Sequence, residues 1–483
     1  MTSSYNATES KSAVGLRTGP RWWGHPRTFI VLGVLAALVL ALVAIGTPEE
    51  TRLMALDAVT GRMQWSLTST APRERLIGLP VAGVGDNSGR VYLSVAYPPA
   101  DTDLLPSYTW SLQSLEASSG RLLWEYRPDQ TRFGTVAAEV TKAYTPVVSG
   151  TMVYVQLVNL RSAAWLVALD AATGQERWAA DGVFFSGSLF RGLSSPLNNG
   201  TYYSGVAANG EQVFTLTTST TAVGRTGGAV VFITAFAAPT GAVQWKTPIL
   251  MASGEPSNEV QYLRADEDNV YLTLDKLYIF DGKTGALKSQ VQADLLQVTA
   301  DAMYQIDVTA LTAIEKATGQ PRWAFALTAG QNCFVPTISG DTLYMFCAML
   351  ASGTASAEPN ATPAPTPTPI PNDQRNNPST WDNYLIALDV RTGIERWRRP
   401  IAENPYTVVG QEPARASDVV AVVGGTLFGN LRVFAIDKDN AERWSLPVRR
   451  AYDQVGSDGA RLYVVDRLPR WHYWLGMISP SLR

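Results

Sequence analysis

Cysteine and histidine are nearly absent: 483 residues contain two of each, Cys333 and Cys347, His25 and His472. That is too few for a Cys/His zinc site, and neither histidine lies near the cysteines in sequence. No C-x-x-C-H occurs, so no c-type haem is attached. An excess of positive charge is also missing. The formal net charge is −3, whereas a nucleic-acid binder would present a basic face. These counts leave carboxylate-only metal sites open.

Against that background one apolar run stands out, FIVLGVLAALVLALVAIG from Phe29 to Gly46, without a charge. At 1.5 Å per residue it spans about 27 Å, close to the hydrocarbon core of a bilayer. Lys11, Arg17, Arg21 and Arg27 precede it, while Glu49 and Glu50 follow. The positive-inside rule then puts residues 1–28 in the cytoplasm as a short basic tail and everything after residue 46 outside. Trp22 and Trp23 suit an interfacial belt. The competing reading is a cleaved signal peptide, with Ala44 and Gly46 as small residues before a cut at Thr47, which would release a secreted protein. No cysteine follows the run to carry a lipid. Either way the body is exported.

The whole chain is 46% apolar and rich in turn formers, with 39 Gly and 29 Pro, which suits many short strands. One phrase recurs in it: ALDAVTGRMQW (55–65), SLEASSGRLLW (114–124), ALDAATGQERW (168–178), AFAAPTGAVQW (235–245), IFDGKTGALKS (279–289), AIEKATGQPRW (313–323), ALDVRTGIERW (387–397) and AIDKDNAERW (435–444). Seven copies end in Trp: Trp65, Trp124, Trp178, Trp245, Trp323, Trp397 and Trp444. Seven carry Gly four residues before the last position, at Gly61, Gly120, Gly174, Gly241, Gly285, Gly319 and Gly393, and Asn440 takes that place in the eighth. A second phrase, a turn followed by a β-branched and aromatic strand, interleaves with the first, as in SGRVYLSV (88–95), SGDTLYMF (339–346) and SDGARLYVV (457–465).

The physics of one unit is legible. Alternation through Leu53, Ala55 and Asp57 predicts a strand with one buried face. An Asp followed by Thr-Gly predicts a tight hairpin whose Asp accepts backbone N–H bonds and whose Gly, or Asn440, supplies a positive φ. The Trp is large enough to pack between neighbouring sheets, and its N–H can reach a backbone carbonyl. Such units bury both faces only by stacking radially, which predicts an all-β, eight-bladed β-propeller over residues 51–483. The repeat steps of 59, 54, 67, 44, 34, 74 and 47 residues make the 34-residue step, 289 to 323, the place to expect an irregular blade. Residues 51–67 and 451–466 should combine into one closing blade, leaving no unpaired edge at the seam. RWHYWLGMI (470–478) fits no repeat.

The phrase A-x-D-x-x-T-G-x-x-x-W resembles the tryptophan-docking repeat of the pyrroloquinoline-quinone (PQQ) propeller superfamily, over residues 51 to about 466. The resemblance is specific for the fold and weak for function. It implies either a quinoprotein dehydrogenase or a non-catalytic propeller, such as the scaffold subunit of the outer-membrane protein assembly machinery. The dehydrogenases hold the quinone beside a disulfide of adjacent cysteines, whereas here the cysteines are fourteen apart. They also require a catalytic Asp and a calcium shell of Glu, Asn and Asp. Asp101, Asp103, Asp266 and Asp268 are candidates that nothing in the sequence singles out from solvated turn residues. Asp57, Asp170 and Asp389 read as turn formers. No cofactor is therefore identifiable, and PQQ with calcium lacks a supporting motif. The non-catalytic relative is a lipoprotein, so the resemblance carries over a scaffold role without that anchor.

In QNCFVPTISGDTLYMFC the cysteines lie symmetrically about Gly340. A hairpin turning there sets them opposite each other, which predicts a cross-strand disulfide in an exported protein; two buried free thiols are the alternative. Residues 351–380, rich in Pro and Thr, predict a disordered surface insertion. The stretch 181–208, with Phe184, Phe185 and Phe190, reads as a second long connection. Asn6, Asn199 and Asn360 sit in N-x-T sequons. The expected function is a membrane-anchored, non-enzymatic scaffold or ligand-recognition propeller with protein partners and no nucleic acid, with a divergent PQQ-dependent dehydrogenase as the alternative.

Overall fold

The computed structural model describes residues 49–68, 75–76, 81–83, 88–97, 109–128, 140–143, 145–159, 164–183, 205–218, 231–249, 262–274, 276–307, 309–328, 331–333, 336–350, 381–402, 414–416, 419–426, 429–448 and 455–469. The chain divides into two compact units, residues 1–48 with 469–483, and residues 49–468. The apolar run 29–46, the tail 1–28, the insertion 351–380, the segment 470–483, Asp101, Asp103, the three phenylalanines and the sequons all lie outside the described residues. Among the described residues no helix is long and apolar enough to cross a membrane.

The second unit is an eight-bladed β-propeller of antiparallel four-strand meanders. Blade 1 has Arg75–Leu76 with Val81–Ala82 as a split first strand, then Arg90–Tyr97, Thr109–Glu116 and Leu122–Tyr126. Blade 2 has Val140–Ala143 with Val147–Ser149, then Met152–Asn159, Ala164–Asp170 and Glu176–Val183. Blade 3 comprises Val206–Ala208, Gln212–Thr218, Val231–Ala237 and Val243–Ile249. Blade 4 comprises Tyr262–Ala265, Asn269–Thr273, Leu277–Asp281 and Leu287–Val291. Blade 5 comprises Asp294–Val298, Ala302–Ile306, Ala310–Glu315 and Pro321–Ala326. Blade 6 has Gln331–Cys333 with Thr337–Ser339, then Thr342–Leu350, Trp381–Asp389 and Glu395–Ala402. Blade 7 comprises Ala414–Ala416, Val419–Thr426, Gly429–Asp437 and Glu442–Pro447. A single pairing, Val183 with Thr217, joins blades 2 and 3 into one nine-stranded sheet.

Blade 8 is built from both ends of the repeat region. Val455–Ser457 and Arg461–Pro469 supply its first two strands, and Glu49–Asp57 and Met63–Thr68 its last two. The ring thus closes through a sheet ladder, which removes an edge strand from the seam. First strands of successive blades touch, among them Val206–Ala208 with Tyr262–Ala265 and Val455–Ser457 with Val81–Ala82, so these strands line the axis. Blade 5, reached by the 34-residue step, keeps all four strands, with a shift of register between Leu295 and Gln297 in its first pairing. The shortness comes from its connection, since blade 4 ends at Val291 and blade 5 begins at Asp294.

The core lies in the seams between blades. Phe214, Ile233 and Ala235 of blade 3 pack on Val270, Leu272 and Phe280 of blade 4, in a cluster of twelve buried residues. Val153, Val167 and Leu169 of blade 2 meet Tyr92 and Leu112 of blade 1 in the same way. Among the described residues the seam between blades 4 and 5 is the thinnest, with only Tyr271, Leu277, Ile279 and Met303 forming its buried cluster.

Candidate functional site

Each hairpin between third and fourth strands repeats one local design. In blade 2 the Asp170 carboxylate accepts from the Thr173 amide and hydroxyl, both at 2.9 Å, and the Gly174 amide donates to the Asp170 carbonyl. Asp57 with Thr60, Asp281 with Thr284 and Asp389 with Thr392 do the same. Gly174 sits at φ 71°, and Asn440 holds the equivalent position at 65°. A cation before the Trp position completes the turn, as Arg177 does to Asp170 at 2.6 Å and Arg396 to Asp389 at 2.7 Å. These contacts hold the carboxyls below their usual range: Arg177 leads at Asp170, Arg396 at Asp389, Lys288 at Asp281 and Thr60 at Asp57. Arg396 also holds Asp341 at about 2. The repeat aspartates are therefore turn formers.

The tryptophans dock across seams. Each indole N–H donates to the carbonyl one residue after the turn position of the next blade, an acid everywhere but at Ala237 of blade 3: Trp65 to Ala117 (2.9 Å), Trp124 to Ala171 (3.1 Å), Trp178 to Ala238 (2.8 Å), Trp245 to Gly282 (2.8 Å), Trp323 to Val390 (3.0 Å) and Trp397 to Lys438 (2.8 Å). Trp444 to Ala58, at 2.9 Å, closes the circle. The ring lies over the turn glycine so closely that a Cβ on Gly174 would stand 2.5 Å from Trp124, and one on Gly393 2.5 Å from Trp323. Gly61, Gly120, Gly241 and Gly285 are covered in the same way by Trp444, Trp65, Trp178 and Trp245.

Inside a blade the indole rests on a row that makes room for it. An aromatic residue on the second strand pairs with a small one on the third, which pairs with the Trp: Tyr154–Ala168–Trp178, Phe214–Ala235–Trp245, Tyr344–Ala387–Trp397. The aromatic rings stand 5.8–6.0 Å apart. The buried phenols stay neutral; desolvation pushes Tyr92 up to about 12.

Blade 4 breaks the row. Its members are Tyr271, Ile279 and Ser289, so a bulky residue replaces the small one and a serine replaces the indole. On the blade 5 side Gly319 keeps φ 69°, yet nothing lies within 4 Å of a Cβ built on it. It is exposed, whereas the six other repeat glycines are at least partly covered. A different bond spans this seam: Lys316 of blade 5 reaches Asp266 of blade 4 at 2.7 Å. Asp266 also accepts from the Tyr271 hydroxyl (2.7 Å) and from the Asp268 and Asn269 amides (2.9 and 2.8 Å). Desolvation pushes this carboxyl up, and Lys316, Tyr271 and the amides together outweigh it, so it stays below its usual range. Asp458 of blade 8 makes the same turn with Arg461 and Tyr463. Asp266 is thus a structural acid with four donors on its two oxygens, and Asp268 sits in the turn it caps.

Cys333 and Cys347 face each other on adjacent strands of blade 6 and form a disulfide, with Cα atoms 4.0 Å apart. Both are buried in the seam between blades 5 and 6. No group of three His, Cys, Asp or Glu side chains able to hold a metal occurs among the described residues.

No curated protein is similar to the chain in sequence. Among solved structures it is similar to BamB from Moraxella catarrhalis, at 14% identity over 80% of this chain and 94% of that one, with a TM-score of 0.43. It is also similar to the quinohemoprotein alcohol dehydrogenase from Comamonas testosteroni, at 13% identity over 87% and 73%, TM-score 0.44. The family model described as outer membrane protein assembly factor BamB matches residues 12–231 and 231–469. With both matches together running through most of its length, the chain belongs to that family of PQQ-type repeat propellers.

Proposed function

We propose that the chain is a non-enzymatic interaction propeller, displayed outside the cytoplasm and held at a membrane by residues 29–46. The observation that carries the first part is the fate of the repeat acids. Asp57, Asp170, Asp281, Asp389 and Asp437 direct their carboxylates into their own turns, and Asp266 into a seam, so the repeats give their acidic groups to construction. Membership of a family described as an assembly factor supports a role in binding other proteins. The anchor rests on the length and flanking charges of the apolar run.

Two measurements test this. Purified protein is given PQQ and calcium, and alcohol- or sugar-dependent dye reduction is followed; turnover above a heat-denatured control refutes the non-enzymatic reading and favours a dehydrogenase. Carbonate extraction of native membranes tests the anchor: the propeller stays in the pellet if residues 29–46 span, and appears in the soluble fraction if they are cleaved.

A further inference from the structure

Among the described residues seven seams of the ring carry an indole, and the eighth carries the same turn and carbonyl without one. We propose that the seam between blades 4 and 5 is a docking slot for a tryptophan side chain presented by a partner protein. The inference rests on the interaction reading above and names the chemistry of the partner's contact.

The receptor is intact on the blade 5 side. Gly319 keeps the left-handed conformation that lets an aromatic face lie flat on the turn, and the space above it is open. The Lys316 carbonyl occupies the position of the carbonyls of Ala171 and Val390, because its own amide makes the same backbone bond, to Asp301, that theirs make to Thr151 and Asp341. Among the described residues it receives no indole. The blade 4 side has lost its own wedge. All five residues of Leu287–Val291 are exposed, and Ser289 and Val291, paired with Ile279 and Leu277, share the face that Trp245 and Thr247 use in blade 3. Val291 is 39% exposed, a large apolar side chain left open to solvent. In two seams the residue two beyond the Trp adds a polar bond to the facing turn, Thr247 to the Gly285 carbonyl at 2.7 Å and Arg399 to that of Asn440 at 3.1 Å. Val291 cannot donate, as Leu67, Ala180, Phe325 and Leu446 at that position cannot, but they are half-buried and Val291 is exposed.

What fills such a slot is stated by its seven sisters: a planar ring with one N–H donor. Tryptophan alone among the side chains has both at that size.

The test uses the full chain and 5-fluoro-N-acetyltryptophanamide, followed by fluorine NMR, with half-saturation expected on the order of 0.1–1 mM for a ligand of this size. Ser289→Trp fills the slot from within, and Gly319→Ala places a methyl where the ring must lie; each should weaken binding at least tenfold. No binding to the unaltered chain, or equal binding to Ser289→Trp, overturns the slot. Crosslinking in native membranes then compares partners of the unaltered chain and of Ser289→Trp. Loss of a partner from the variant, together with indole binding, supports the proposal. Capture of every partner undiminished overturns it and leaves the interaction reading standing. Absence of partners from both proteins removes the interaction reading and the proposed partner with it, whatever the indole does.

Discussion

Two glycines in the same turn, at the same φ, should respond differently to the same methyl group. Gly174 and Gly319 sit at 71° and 69°, so Ala at either position carries the strain of a left-handed L-residue, about 1–2 kcal/mol. At Gly319 that is the whole cost, because the new Cβ meets nothing within 4 Å. At Gly174 it stands 2.5 Å from the Trp124 ring, with ring atoms on one side and the blade behind. The indole must move, which adds an overpacking cost of about 1–3 kcal/mol and stretches the 3.1 Å bond to the Ala171 carbonyl.

Gly174→Ala should therefore destabilise by about 1–3 kcal/mol more than Gly319→Ala. A propeller of this size unfolds with an entropy of roughly 2 cal/mol/K per residue, so each kcal/mol moves the melting temperature by about 1 °C. Calorimetry of both variants at one scan rate resolves that difference. Equal losses would refute the claim that the indole is the partner of the turn, and a larger loss at Gly319 would refute the open space over it.

Asn440→Gly should stabilise by up to about 1 kcal/mol, since it relieves a positive φ and removes an Oδ1 that is buried without a hydrogen bond; a lowered melting temperature contradicts this. Replacing Cys333 and Cys347 together by Ala should cost about 3 kcal/mol for a loop of roughly 15 residues, seen as a melting temperature that no longer responds to reductant. Because the turn carboxyls have folded pKa values below the unfolded value near 3.9, their contribution is complete above that pH and is lost as pH falls through the folded values, about 2 for Asp341. Melting temperature should hold from pH 6 to about 5 and then fall toward pH 2, less so in Asp389→Asn; a flat profile contradicts the turn chemistry.

The blades were legible because each repeat states its geometry locally. Asp-x-x-Thr-Gly is a turn whose hydrogen bonds lie within five residues, so the sequence contains all the partners. The closing blade was legible for a related reason, since the half-repeats at 51–67 and 451–466 are complementary. What could not be read was what lies across a seam. Ser289 was visible as a missing Trp, but nothing marked Ile279 as the residue that grew to fill the row, or Lys316 as the cation that bridges to Asp266. Ile279 pairs with Ser289, 10 residues on, within blade 4, whereas Asp266 and Lys316 are 50 residues apart and meet only when two blades stack. Asp266 and Asp268 looked like candidate site residues for the same reason: an acid in a turn and an acid in a site read alike until their donors are placed.

The position of the unwedged seam also has a physical logic. Blade 8 holds strands from both ends of the repeat region, so its halves are joined by hydrogen bonds alone, and on one side Trp444 docks on Ala58 across 386 residues. Losing an indole there would weaken the closure itself. Blades 4 and 5 are joined by Gln292 and Ala293, between strands that end at Val291 and begin at Asp294. So short a tether keeps the two faces at high effective concentration whatever the side chains contribute. A ring that could spare one indole could therefore spare it most cheaply here. The seam where covalent continuity substitutes for a wedge is also the one where a receptor for an indole is left open to solvent.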